Sequence, residues 1–410
     1  MVIGRQTVYH KLAGKAPERH NDRMSPTLQL TRRAFLSAGA RGAAAFALLP
    51  GWLPGRRPAP LCPTAAGLDE KIGQMVLAGF RGLELAEGNP VVADLRRRSL
   101  GGVALFDRDL PSGSPVRNIA SPAQLNALDT SLSRLAAEPL LIGIDQEGGQ
   151  VARLSPEHGF PPSISQQRLG ALDDVEATRQ AAETTAQTLR VAGINLNLAP
   201  VVDLNLNPAN PIIGRYERSF SADPDIVTRH ALAVIRAHHR YGVLTTLKHF
   251  PGHGSSQGDS HLGFVDVTAT WRPVELQPFR ALIRAGSCDA IMTAHIFNAQ
   301  LDPDFPATLS RRTVTGLLRE QLGFGGVVIS DDMGMGAIAD NYPFETAVRL
   351  AIEAGVDILA YSNNGRVFDP AVPARAVAAI KDLVASGTVD EGRIDQSYRR
   401  IMRLKSAIGF

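Results

Sequence analysis

The strongest constraint on this chain is an eightfold alternation along its length. Short apolar, β-rich runs at residues 75–79, 102–106, 140–144, 194–199, 243–247, 290–293, 326–329 and 356–360 are separated by longer stretches. Many of those stretches have helical spacing, as at 121–136, 174–192, 223–240, 274–285, 310–321 and 345–354. Short apolar runs of this kind read as strands covered on both faces. Parallel neighbours need a long crossover, because the chain must return to the same end of the sheet, and a helix supplies it. Eight strand-helix units therefore predict an α/β fold, a closed (β/α)8 TIM barrel. The competing architecture, a doubly wound open sheet, lacks a Gly-rich dinucleotide fingerprint after an early strand. Helix signals agree: Ser121-Pro122 supplies an N-cap with proline in the first turn, and Ser310 precedes a run ending near Gly323. No repeat, low-complexity tract or linker interrupts residues 66–410, which read as a single catalytic domain.

Charge separates that domain from what precedes it. The 410 residues carry a net charge of +3, yet residues 1–60 hold ten Lys/Arg against two Asp/Glu, leaving 33 against 38 for the rest. The basic character belongs to the leader, and the remainder has neither a basic stripe nor an aromatic stacking platform. No nucleic-acid partner is expected.

Within the leader, Thr31-Arg32-Arg33-Ala34-Phe35-Leu36 precedes an Ala-rich stretch broken by Arg41 and closed by Pro50, Gly51 and Pro54. This resembles a twin-arginine export signal, which implies the twin-arginine translocon as a partner and a periplasmic or extracellular destination. The apolar run is too short to span a bilayer, so residues 1–62 read as a removable leader rather than an anchor. The n-region upstream of Arg32 is long, and a start at Met24 would give a compact one. Cys62 and Cys288 are the only cysteines. A lipid anchor at Cys62 fits poorly with Pro60-Leu61 before it, while export would permit a disulfide.

Polar residues gather just past the C-terminal ends of the expected strands. They are Asp145-Gln146-Glu147 after the third, Asp203 after the fourth, Lys248-His249 after the fifth, His295 after the sixth and Asp331-Asp332 after the seventh. In a barrel these ends share one mouth. Charges that merely solvate loops would scatter over both ends, whereas an aligned set of carboxylates and imidazoles suits acid/base chemistry. The richest segment runs from Lys248 to Gly254 and on to Asp259-Ser260-His261. Glycines at 252, 254 and 258 suggest mobility, and Asp259 is close enough in a turn to orient the His261 ring.

Four of these segments carry a family resemblance. Ile144-Asp145-Gln146-Glu147-Gly148-Gly149, Glu217-Arg218-Ser219-Phe220, Lys248 to Gly254 with Asp259-Ser260-His261, and Ser330-Asp331-Asp332-Met333 stand in the order found in glycoside hydrolase family 3. The chain resembles the β-N-acetylglucosaminidase (β-hexosaminidase) branch from residue 68 to the end. The resemblance implies a (β/α)8 barrel and a retaining exo-glycosidase with no metal or cofactor. The substrate the resemblance implies is terminal β-linked N-acetylglucosamine, as in peptidoglycan fragments (muropeptides). The resemblance also implies Asp331 as nucleophile, His261 as general acid/base with Asp259 as its dyad partner, and Asp145, Arg218, Lys248 and His249 as sugar-binding residues.

Departures and alternatives bear on this reading. Arg215-Tyr216-Glu217 lengthens the usual approach to the Arg-Ser-Phe motif, so Arg215 competes with Arg218. The family's additional C-terminal domains have no counterpart in the sequence, which leaves His261 as the well-placed acid/base. Asp332 reads as a supporting or helix N-terminal carboxylate, with the role of nucleophile in place of Asp331 as its alternative; His295 reads as either packed or substrate-facing, and His238, His239 and His158 as surface residues. Trp52 lies in the leader and carries no functional weight. A β-glucosidase or β-xylosidase is the nearest alternative, since nothing marks an acetamido pocket. A metal-dependent amidohydrolase using His249, His253 and His295, or a non-catalytic sugar-binding barrel, represents other classes.

Overall fold

A computed structural model describes residues 66–97 and 99–408. The twin-arginine motif, Met24, Trp52 and Cys62 lie outside the described residues. Besides a two-stranded hairpin at Gln146–Gly148 and Val151–Ala152, eight barrel strands alternate with helices: β1 (Val76–Gly79), β2 (Gly102–Leu105), β3 (Leu141–Ile144), β4 (Leu196–Asn197), β5 (Leu244–Phe250), β6 (Ala290–Thr293), β7 (Val327–Ile329) and β8 (Leu359–Tyr361). Each pairs in parallel with its neighbour in the order β8-β1-β2-β3-β4-β5-β6-β7. A parallel bridge between Ile329 and Ile358, with Ser330 N–H donating to the Ile358 carbonyl at 2.9 Å, joins the two remaining edges. The sheet closes on itself, so the expected (β/α)8 barrel is the fold.

Helix starts follow side-chain chemistry. The Ser121 hydroxyl accepts from Gln124 N–H at the head of helix Pro122–Leu135, which buries Leu125, Leu128 and Leu132 on one face. Asp174 takes the Glu176 and Ala177 amides before Val175–Ala192, and Asp223 takes the Asp225 amide before Pro224–Arg240. Each such cap contributes roughly 1 kcal/mol by satisfying amides that have no partner within the helix.

Several boundaries differ from expectation. Residues Arg312–Gln321 form a π-type helix, entered through Ser310, whose hydroxyl accepts from Thr313 N–H at 2.9 Å. β4 is shorter than expected, and β8 lies a little further along the chain. His238 is buried, not on the surface: its Nδ1 donates to the Val234 carbonyl at 2.8 Å and its Nε2 accepts from Asn197 of β4 at 2.9 Å. Cys288 is a half-buried free thiol. Among the described residues no helix is long and apolar enough to cross a membrane.

Two features govern how the barrel presents side chains. In β5 the register with β6 shifts between Leu247 and Phe250, which pair with Ile291 and Thr293. Three steps on one strand thus match two on the other. Such a bulge breaks strict alternation and re-aims side chains, and both Lys248 and His249 are buried. They lie within β5 rather than beyond its end. At the opposite end of the barrel, Asp357 enters β8 fully buried. It accepts from Arg319, Arg393 and Arg400 and from Ser397, tying helix Glu391–Lys405 to the sheet.

Candidate active site

At the C-terminal mouth, four of the expected substrate-binding residues meet in one cluster. Lys248 Nζ lies 2.6 Å from Asp145 Oδ1 and 2.7 Å from Glu147 Oε1. Arg218 grips Glu147 with two bonds of 2.7 Å, from Nε and Nη2, and its Nη1 donates to the Ile212 carbonyl at 3.0 Å. Arg218 Nη2 also donates to His249 Nε2 at 3.2 Å. Two cations and two carboxylates balance, which makes burial tolerable where a lone charge would not be. Burial alone would raise the Asp145 carboxyl, but the Lys248 and Arg153 charges hold it well below the usual carboxylate range. Burial likewise opposes the charge on Lys248, and Asp145 and Glu147 overcome it and push the ammonium up.

Two residues of this site had received no role. Glu147 links Arg218 to Lys248, and its position in the same strand-end motif as Asp145 was the available signal. Asp203, fully buried after β4, accepts from His249 N–H at 3.2 Å and His253 N–H at 2.7 Å through Oδ1, and from His249 Nδ1 at 2.7 Å through Oδ2. A carboxylate can only accept, so His249 carries its proton on Nδ1 and turns Nε2 toward Arg218 as acceptor. Asp203 also stood at a strand end in the sequence. Arg215, by contrast, is exposed, with its carbonyl held by Gln150, and takes no part in the cluster.

After β7, Asp331 and Asp332 separate into different environments. Asp331 donates its N–H to the Thr293 carbonyl at 3.2 Å, and its Oδ1 accepts from Asp332 N–H at 2.8 Å. Burial opposes its charge, yet the His295, His249 and His261 rings hold the carboxyl below its ordinary value. Asp332 is committed to the loop after β8: its carboxylate accepts from Ser362 N–H and hydroxyl and from Gly334 N–H. His295 donates from Nε2 to the Asp332 carbonyl at 2.9 Å and accepts from Thr308 at Nδ1 at 2.8 Å, with burial pressing it toward the neutral form. It packs under the Asp331 loop.

Asp259 and His261 form a dyad. One carboxylate oxygen accepts both the His261 N–H at 2.9 Å and Nδ1 at 2.8 Å, which directs Nε2 away from the carboxylate. The His261 side chain is 58% exposed. Its loop abuts the segment after Asp331: at the N-terminus of the short helix Gly336–Ala339, Gly336 N–H donates to the His261 carbonyl at 3.1 Å and Ala337 N–H to that of Ser260 at 3.2 Å. The glycines expected to loosen the segment instead permit close packing. A Cβ at Gly254 would fall 1.7 Å from the Leu204 carbonyl oxygen.

The three histidines of the amidohydrolase alternative are otherwise engaged: His249 by Asp203 and Arg218, His253 by Ser256 and Ser260, and His295 by Thr308 and the Asp332 carbonyl. Among the described residues no group of three or more His, Cys, Asp or Glu side chains converges as a metal's ligand set.

The layout is that of a (β/α)8-barrel protein with carboxylates, imidazoles and a polar cluster of opposite charges gathered at one mouth. The chain belongs to glycosyl hydrolase family 3, whose N-terminal domain it matches over residues 67–404. It is 34% identical over 340 residues to the β-hexosaminidase A of Pseudoalteromonas piscicida, an alignment covering 77% of this chain and 54% of that protein. It is 40% identical over 283 residues to a β-hexosaminidase of Tolumonas auensis, covering 66% and 78% respectively. A family 3 β-N-acetylglucosaminidase from Paenibacillus sp. FPU-7 superimposes with a TM-score of 0.76 at 38% identity, over 84% of this chain and 63% of that one. The β-N-acetylhexosaminidase of Beutenbergia cavernae gives 0.74 at 32% identity, over 83% and 98%. The chain thus spans about half the length of the first relative but nearly all of the last.

Proposed function

We propose that the protein is a retaining exo-glycosidase that hydrolyses terminal, non-reducing β-linked N-acetylglucosamine. The observation that carries this reading is that the His261 loop caps the short helix following Asp331, while the Asp331 carboxyl feels both the His261 ring and the His249 ring of the Asp145–Arg218–Lys248–His249 cluster. The names of the family relatives favour the acetamido sugar. In the first step an Asp331 carboxylate oxygen bonds to the anomeric carbon as the glycosidic C–O bond breaks, and His261 Nε2 gives its proton to the departing oxygen. In the second, water adds to the anomeric carbon, the Asp331 ester bond breaks, and the water's proton returns to His261. Asp259 steadies the ring while it is charged, and the deprotonated ring is neutral, so no second anion faces Asp331. Asp145, Arg218, Lys248 and His249 hold sugar hydroxyls and fix orientation.

The leader supports export through the twin-arginine translocon to a periplasmic or extracellular site, where peptidoglycan fragments are the expected source of substrate. The reading is tested by trapping with a 5-fluoro N-acetylglucosaminide and sequencing the labelled peptide by mass spectrometry. Label on Asp331 is expected. Label elsewhere, or faster turnover of nitrophenyl glucoside than of nitrophenyl N-acetylglucosaminide, overturns it.

A further inference from the structure

We propose that Glu275 is a positioning residue for the acid/base histidine, holding the turn after β5 from which the His261 loop is hung. The inference rests on the assignment of His261 as acid/base.

The turn at residues 251–255 is gripped from two sides by buried carboxylates. Asp203 takes the His249 and His253 amides on one side. On the other, Glu275 rises fully buried from the 3₁₀ turn Pro273–Leu276. Its Oε2 accepts from Gly254 N–H at 3.2 Å, and its Oε1 from the Ser255 hydroxyl at 2.7 Å and from Arg272 N–H at 3.3 Å. The side chain lies directly on the turn: a Cβ at Gly252, where φ is +116°, would fall 2.6 Å from Glu275 Cβ. Among the described residues no cation pairs with it. Burial first, and the Asp203 charge further, push the carboxyl up to about 7. A buried acid without a counter-ion is a poor choice for stability alone, and here two of its three donors belong to the turn.

From the turn, contacts run on to the dyad. The His253 ring reaches the Ser256 hydroxyl at 2.6 Å and the Ser260 hydroxyl at 3.1 Å, and burial keeps it neutral, down to about 4. Ser260 is buried and immediately precedes His261. Glu275 thus sets where Gly254 and Ser255 sit, His253 spans the loop, and Ser260 fixes the base of the acid/base residue. No substrate contact is required of Glu275.

The test compares Glu275→Gln, Glu275→Ala and His261→Ala with the unaltered protein by kcat/KM on two N-acetylglucosaminides. One carries a dinitrophenyl leaving group, which departs without protonation, and the other a phenyl group, which needs it. A glutamine amide must turn its NH2 toward Gly254 N–H or toward Arg272 N–H, neither of which can accept, so one backbone hold on the turn is lost without loss of volume. Because misplacement of a catalytic group by about 1 Å can cost roughly 100-fold, kcat/KM on the phenyl substrate should fall about 10- to 100-fold in both Glu275 variants. That on the dinitrophenyl substrate should change less than about twofold. The ratio of the two rates from one sample does not depend on the fraction folded. Equal losses on both substrates, or no loss on either, overturn the positioning role. If His261→Ala shows no dependence on the leaving group, the acid/base assignment falls and the inference with it.

Discussion

Gly336 donates its backbone N–H to the carbonyl of His261 at 3.1 Å, so the short helix that follows the candidate nucleophile is joined to the loop bearing the candidate acid. A Cβ at Gly336 would lie 3.0 Å from that carbonyl oxygen and 2.9 Å from the Leu262 carbonyl carbon. The close approach of the His261 loop to the helix after Asp331 thus depends on one hydrogen atom in place of a side chain.

Gly336→Val should therefore separate the loops while leaving the barrel intact. We expect kcat/KM on a nitrophenyl N-acetylglucosaminide to fall roughly 10- to 100-fold, the scale set by misplacing a catalytic group. Thermal unfolding should shift little, and unchanged kinetics would show that this contact does not position His261.

The two arginines of the lengthened motif should behave differently. Arg215→Ala removes an exposed side chain outside the cluster and should alter kcat/KM less than about twofold. Arg218→Ala strips Glu147 of its two-bond partner and His249 of its donor. Losing a buried charge partner costs about 3–5 kcal/mol of stability, and the displaced Glu147 and His249 side chains should lower kcat/KM by roughly 100-fold, the scale of misplacing groups by about 1 Å. Steady-state kinetics of both variants checks the pair.

Asp357→Asn should destabilise the fold without touching the mouth. It leaves Arg319, Arg393 and Arg400 facing one another with no anion between them. A cost of about 3–5 kcal/mol is expected, read as a lower urea midpoint. The kcat of the folded enzyme should stay as it was.

His238 should make stability pH-dependent. Burial drives its ring down to about 4 in the folded state, against about 6.5 for an unfolded histidine. The folded chain therefore keeps it neutral while the unfolded chain takes up a proton. Its contribution is intact above pH 6.5 and is lost as pH falls toward 4, by about 2 kcal/mol at pH 5. Urea unfolding at pH 7 and pH 5 should show a smaller acid loss in His238→Gln than in the unaltered protein. Equal losses would mean His238 is not held neutral.

The placement of chemistry was partly legible in the chain. Asp145, Asp203, His295 and Asp331 interrupt or follow apolar runs, and strand ends in a barrel face one way. The partnerships were not legible. Lys248 meets Asp145 across 103 positions, Arg218 meets Glu147 across 71, and His249 meets Asp203 across 46. The β5 bulge that turns both Lys248 and His249 inward leaves no mark on periodicity. His238 read as a surface residue because it sits among polar neighbours near a helix end, and only Asn197 on a strand explains its burial.

The order of apolar and amphipathic runs was enough to specify a closed parallel barrel, because short-range periodicity and the need for long crossovers act through neighbours in the chain. It was also enough to mark one mouth as the chemical end. Which carboxylate is held for structure, as Asp332 is by Ser362, and which stands among histidines, as Asp331 does, was settled by packing. Burial and opposing charges set the state of an ionisable group, and both depend on residues brought together from distant parts of the sequence.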